Sequence, residues 1–227
     1  DLSGKDIPIT IVKTMMRVDL PQPLMPGQKT EFTMDWTFNI HDRMSFIGGR
    51  PGYEYFEKDG NYLYTMAEWF PRMAVYSDFQ GWQNHQFTGR GEFALVFGNY
   101  KVAITVPSDH VVMATGQGQN YPAVLSPAQL ARWTKAQTAT EPIEVVTLDE
   151  AKAAEKNKAT TNETWVFNAE NVRDFAFGSS RKFIWDAMQV DVEGKKVWAM
   201  SYYSKEGNPL WGKYSTMVVA HTLRSYS

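Results

Sequence analysis

Short runs in which every second residue is apolar, broken by Gly, Pro and Asp/Asn turn signals, constrain this chain most. From Glu31 to Ile40 the apolar residues Phe32, Met34, Trp36, Phe38 and Ile40 alternate with Glu31, Thr33, Asp35, Thr37 and Asn39. A period of two places one set on each face of a strand, so the run predicts a half-buried strand. Ile9 to Leu20 reads as an earlier strand, closed by Pro21, Pro23, Pro26 and Gly27. Lys58-Asp59-Gly60-Asn61 predicts a hairpin turn between Tyr53–Phe56 and Tyr62–Tyr64, because Asp-Gly supports positive φ at little cost. Further strands are expected over 92–97, 100–106, 111–115, 164–169, 181–190 and 196–203. Gly98-Asn99 joins the first two, and Glu193-Gly194 the last two.

Three helices interrupt this pattern. Ser126-Pro127-Ala128-Gln129 carries a cap residue, a first-turn proline and a capping-box glutamine, and predicts a helix to about Gln137. Thr147-Leu148-Asp149-Glu150 is a second capping box and opens a short helix through Lys156. Asn208-Pro209 opens the third, whose apolar stripe is Leu210, Tyr214, Met217 and Val218. That helix has little chain left to pack on, and it reads as the start of a further domain.

The chain has 227 residues, a net charge of −2, 14% aromatic residues and no cysteine. The length suffices to bury roughly 70% of the unfolded surface. The charge argues against nucleic acid as a partner. No disulfide, thiol nucleophile or Cys-bound zinc is possible. No apolar run approaches the ~20 residues of a membrane span. The chain begins at Asp1 without methionine or signal sequence, as a mature or trimmed chain would.

No catalytic constellation follows from spacing. His41, His85, His110 and His221 include no i,i+4 pair, and H-E-x-x-H does not occur, so no metal site is expected within these residues. There is no G-x-S-x-G elbow, and Gly178-Ser179-Ser180 beside Arg181-Lys182 reads as a polar turn. Gly116-Gln117-Gly118 is not followed by a helix pattern and is no dinucleotide loop. Glu54, Glu68, Asp78 and Glu92 are conceivable paired carboxylates, but such chemistry needs two carboxyls roughly 5–10 Å apart. On the residues alone, the default is a β-rich binding or structural module.

A set of separated segments adds a resemblance. Trp69-Phe70-Pro71, Asp78, Gly91-Glu92-Phe93, Phe97-Gly98-Asn99-Tyr100, Ile104-Thr105-Val106-Pro107 and Ala114-Thr115-Gly116 occur in that order. Glu170 to Phe177 and Phe183-Ile184-Trp185-Asp186 follow, and Gly48-Gly49-Arg50 and Gly52-Tyr53-Glu54 precede. Together they resemble the N-terminal domain of the aminopeptidase N and leukotriene hydrolase superfamily, the gluzincin zinc peptidases, in its secreted bacterial branch.

The resemblance implies a mainly β fold: a saddle-shaped antiparallel β-sandwich over residues 1–194 with two short helical insertions. Residues 195–227 would then be the first strand and helix of a thermolysin-like catalytic domain. It implies a parent zinc metallo-aminopeptidase that removes N-terminal residues from peptides, exported to the periplasm or the medium. The H-E-x-x-H helix, the third zinc ligand and the G-x-M-E-N-like strand are expected beyond Ser227, so this chain alone is expected to be inactive and to hold no cofactor. Its partners would be the peptide substrate and the remainder of its own catalytic domain. By the same resemblance Glu68 is the candidate anchor for the substrate's α-amino group, while Trp69, Phe70, Met73 and Trp82 are candidates for the substrate pocket. No residue of this chain is expected to be catalytic or to bind metal. The alternative is an aromatic-rich carbohydrate- or protein-binding module without enzymatic activity. Exposed tryptophans in a row would favour sugar stacking, and buried ones a scaffold.

Overall fold

A computed structural model describes residues 6–45, 50–88 and 94–227. The fold is mainly β, with antiparallel sheets and, among the described residues, four α-helices. The chain divides into two compact units, Asp1–Asn39 with Phe70–Phe97 and Ile40–Trp69 with Gly98–Ser227.

In the first unit, the expected single strand over Ile9–Leu20 is a hairpin, β1 (Ile9–Val12) with β2 (Met15–Val18). The chain reverses at Lys13, whose φ of 53° lies in the left-handed region. The Thr14 amide and hydroxyl both donate to Gln86 Oε1, at 3.0 and 2.8 Å, and Gln86 Nε2 donates back to the Val12 carbonyl at 2.9 Å. The strand expected over Glu31–Ile40 does not form: no ladder includes these residues, and Phe32, Trp36 and Phe38 stay exposed. Alternation decides which face a residue takes once a partner strand is hydrogen-bonded to it, and no described ladder includes this run. Of the strand expected over 92–97, Glu92 and Phe93 lie outside the described residues, and Ala94–Phe97 carry no ladder. Gly48, Gly49 and Gly91 also lie outside them.

In the second unit, β3 (Gly52–Phe56) and β4 (Asn61–Met66) form the hairpin expected from Asp59-Gly60, with Gly60 at φ 63°. Gly98-Asn99 opens a strand instead of joining two. It begins the long β7 (Gly98–Pro107), which is followed by β8 (Val111–Ala114) and β9 (Gln117–Gly118). Next come helices α1 (Tyr121–Val124) and α2 (Pro127–Ala136), β10 (Ile143–Val146), α3 (Leu148–Lys156) and β11 (Asn162–Val172). Both predicted capping boxes are present, Ser126 with Gln129 and Thr147 with Glu150.

The strand expected over Arg181–Val190 is split. Here β12 (Phe177–Ser180) ends before a turn at Arg181-Lys182, and β13 (Ile184–Val192) begins after it. The chain finishes with β14 (Lys195–Tyr203) and α4 (Leu210–Ser225). Three antiparallel sheets result, ordered β3-β4-β12-β8, β7-β11-β9 and β10-β13-β14.

The third sheet is covered on both faces. Alternate residues of β13 point opposite ways, so Ile184, Met188 and Val190 share a face opposite Trp185 and Ala187. On the first face Ile184 and Tyr203 pack on Ala151 and Leu148 near the start of α3, and Met188, Val190 and Ala199 pack on Ala220 of α4. On the second, Trp185 stacks on Tyr202 at 5.1 Å and meets Trp133 of α2, which stacks on Trp198 at 4.0 Å. Each fully buried aromatic of this kind contributes on the order of 2–3 kcal/mol.

The final helix departs from expectation in orientation. Leu210, Tyr214, Met217 and Val218, the predicted apolar stripe, are all exposed, while Thr216, Val219, Ala220 and Leu223 face the sheet. Small residues at 216 and 220 let the helix approach the sheet closely, which turns the bulkier stripe outward.

Gly116 tests the packing of the second sheet. Its φ is 89°, and a Cβ there would lie 2.3 Å from the Asn168 carbonyl oxygen and 2.8 Å from Ala169 Cβ. Gly116→Ala is expected to lower unfolding stability in urea by at least about 1 kcal/mol, from the left-handed backbone and the overlap together.

Candidate functional site

The densest charge cluster forms where β12 turns into β13. Lys182, with 0% of its side chain exposed, donates to Asp59 Oδ2 at 2.5 Å, Glu155 Oε1 at 2.8 Å and Glu206 Oε1 at 3.1 Å. Lys205 adds a second ammonium, donating to Asp59 Oδ2 at 3.0 Å and to Glu155 Oε2. The Phe56 ring lies 4.4 Å from the Lys182 nitrogen. The carboxylates come from the β3–β4 turn, the last turn of α3 and the 3₁₀ turn Lys205–Gly207. Three separate stretches of chain therefore converge on one lysine.

Arg181 extends the network. Its guanidinium pairs with Asp109 at 3.0 Å and donates to Asn61 Oδ1 at 3.3 Å. Buried Asn61 in turn donates to Asp59 Oδ1 at 3.0 Å and to the Glu155 carbonyl at 3.3 Å. Burial raises the Asp59 pKa, but the hydrogen bonds from Lys182, Lys205 and Asn61 outweigh it and hold the carboxyl at about 2. Burial likewise works against the Lys182 charge, and its three carboxylate partners raise its pKa nonetheless.

Asp59, Glu155 and Glu206 bring three carboxylate oxygens within 4.8 Å of one another, the only such grouping among the described residues. A cation there would have to displace two ammonium groups that already hold these oxygens. The cluster is a charge-compensated lock.

A Ser–His contact lies beside it. His110 Nδ1 and Ser179 Oγ are 2.8 Å apart, both side chains are buried, and Tyr64 covers the imidazole. A nucleophile must reach its substrate, and this hydroxyl does not reach the surface, so the pair ties β8 to β12. Burial first, and the nearby Arg181 charge second, lower the His110 pKa to about 4. With its folded value below the ordinary 6.5, His110 contributes stability that is full above 6.5 and is lost as pH falls toward 4.

Asp186 works in the opposite sense. Tyr203 donates to its Oδ2 at 2.6 Å, and Glu144 is its cross-strand partner. Burial raises the Asp186 pKa to about 6, the Tyr203 hydrogen bond opposes this, and the Glu144 charge adds to it. Burial also raises the pKa of Glu144, against a backbone hydrogen bond from Leu148. The Asp186 contribution is full below the unfolded value of 3.8 and is lost as pH rises through 6.

Of the residues named from the resemblance, Glu68 and Trp69 lie in the second unit, and Phe70, Met73 and Trp82 lie in the first. Glu68 is exposed and has a φ of 54°. Trp69 Nε1 donates to the Phe175 carbonyl at 2.9 Å, and its ring meets Phe177 edge-on at 5.4 Å. Met73 and Trp82 are exposed, Phe70 is half-buried, and Trp82 packs edge-on against Tyr76 at 5.2 Å across the small hairpin β5 (Tyr76–Ser77) and β6 (Gly81–Trp82). His41, His85 and His221 are exposed and His110 is engaged by Ser179. Sequence reasoning missed the Lys182 lock, because its partners stand 123, 27 and 24 residues away. The adjacent basic pair Arg181-Lys182 was the only local signal. Compared with family models, curated proteins and solved structures, the chain matches none.

Lys182→Met leaves buried carboxylates without their main counter-charge and is expected to cost about 3–5 kcal/mol near neutral pH. The Asp59 part of that deficit is present above about pH 4 and shrinks as pH falls toward 2, so urea unfolding at both ends of this range checks it. Asp186→Asn keeps an acceptor for Tyr203 and removes the buried charge. It is expected to be more stable than the parent above pH 6, with the gap closing as pH falls below 3.8, read from thermal unfolding across that range.

Proposed function

We propose that this chain is the N-terminal, non-catalytic portion of a zinc-dependent metallo-aminopeptidase, and that Glu68 anchors the free α-amino group of the peptide substrate. The observation that carries this reading is the backbone of Glu68, an exposed residue held at φ 54° beside an anchored tryptophan. A non-glycine residue in the left-handed region costs free energy, and at Glu68 no described strand pairing accounts for it. A carboxylate accepts charge-assisted hydrogen bonds from an ammonium group, as the proposed role requires.

In this reading the β-rich part through residue 194 is the saddle-shaped sandwich of the gluzincin N-terminal domain. Strand β14 and helix α4 open the thermolysin-like domain, and the outward stripe of Leu210, Tyr214, Met217 and Val218 is the face on which the rest of that domain packs. The residues present do not fit a zinc site: three histidines are exposed and dispersed in sequence, the fourth is bonded to Ser179, and the carboxylate trio is held by lysines. In this reading the parent's zinc is held by the H-E-x-x-H segment of its catalytic domain.

The rival carbohydrate-binding reading needs exposed tryptophans in a row. Trp133, Trp165 and Trp185 are buried in the core, while the exposed Trp36 and Trp82 belong to the first unit and the exposed Trp211 to the second. This burial favours the scaffold reading.

The test is binding of leucinamide to the purified chain, followed by NMR, alongside zinc content and hydrolysis of aminoacyl-anilides. Expected are a leucinamide-dependent shift at Glu68, its loss on N-acetylation of the ligand and in Glu68→Gln, and neither zinc above background nor turnover. Stoichiometric zinc with turnover, or leucinamide binding unaffected by Glu68→Gln, overturns the proposal.

A further inference from the structure

Among the described residues, four non-glycine positions have left-handed backbone: Lys13, Glu68, Asn171 and Glu193. Lys13 and Glu193 occupy two-residue hairpin turns, and Asn171 sits where the register of β11 against β7 shifts. Strand pairing accounts for these three. Glu68 follows the end of β4 by two residues, and no ladder includes it.

The chain on either side of Glu68 is tied to the same short segment. Met66, the last residue of β4, pairs with Phe177 of β12. Trp69 reaches past it, donating its indole N–H to the carbonyl of fully buried Phe175 and laying its ring edge-on against Phe177. Glu68 therefore stands between two anchors on one segment, the Met66 ladder pair and the Trp69 indole hydrogen bond.

We propose that Trp69 is a positioning residue: its indole hydrogen bond to Phe175 holds Glu68 in its left-handed conformation. Removal of the indole N–H releases the second anchor, and Glu68 relaxes to negative φ. The functional consequence rests on the reading of Glu68 as amine anchor; the clamp itself does not.

The experiment uses the 227-residue chain with Trp69 replaced by Trp69→Phe and, where that variant folds poorly, by benzothienylalanine, which keeps the bicyclic ring and lacks the donor. Glu68→Gly and Glu68→Ala are introduced into the parent and into each Trp69 variant. Left-handed backbone favours glycine over alanine. In the parent, E68G is expected to melt about 2–4 °C above E68A. In the Trp69 variants this gap collapses. A gap that persists without the donor overturns the clamp.

Leucinamide titration followed by NMR separates the two claims. If the melting gap collapses and leucinamide perturbs Glu68 in the parent but not in the Trp69 variants, both stand. If the gap collapses while leucinamide never perturbs Glu68, the clamp stands and the amine-anchor reading falls. If leucinamide binds at Glu68 equally well without the indole donor, the positioning role falls and the anchor reading survives.

Discussion

A lysine ammonium in the interior of a protein is tolerated only when counter-charges come to it, and Lys182 draws them from three directions. Asp59 arrives from a hairpin turn, Glu155 from the end of α3 and Glu206 from the turn before α4. Because none of these groups can leave without stranding a buried charge, the β3-β4-β12-β8 sheet is tied to the helix that covers β13. Arg181, one residue earlier, makes the same demand of Asp109 and Asn61. Two adjacent basic residues thus fix how two sheets of the second unit meet.

Around that lock the rest of the unit is organised by burial. The β10-β13-β14 sheet carries aromatics toward α2 and aliphatic residues toward α3 and α4, and the alternation along β13 makes the division. Two titrating groups lie within this packing, and their pH dependences oppose each other. His110 favours folding at higher pH, and Asp186 favours it at lower pH. Over the range where both titrate, part of each effect offsets the other.

The functional reading rests on a different kind of constraint. Glu68 is held in a costly conformation at the surface, and its neighbour Trp69 is fixed to buried backbone. A left-handed carboxylate with a rigid support suits recognition of an ammonium group. The outward apolar stripe of α4 suits packing against further protein.

Local chemistry was legible in the residues themselves. The Asp59-Gly60 and Glu193-Gly194 turns, both capping boxes and the start of α4 follow from backbone preferences that act over a few positions. Tertiary structure decided what depends on partners. The alternating run at Glu31–Ile40 joins no ladder among the described residues, Ile9–Leu20 turns back on itself at Lys13, and α4 presents its small residues inward. The Lys182 lock and the Trp69 anchor join residues far apart in sequence, and only the folded chain brings them within hydrogen-bonding range. Hydrogen-bond ladders and counter-charges are properties of pairs, whereas turns and caps are properties of short segments; that difference is why the sequence alone determined the second set and left the first to the fold.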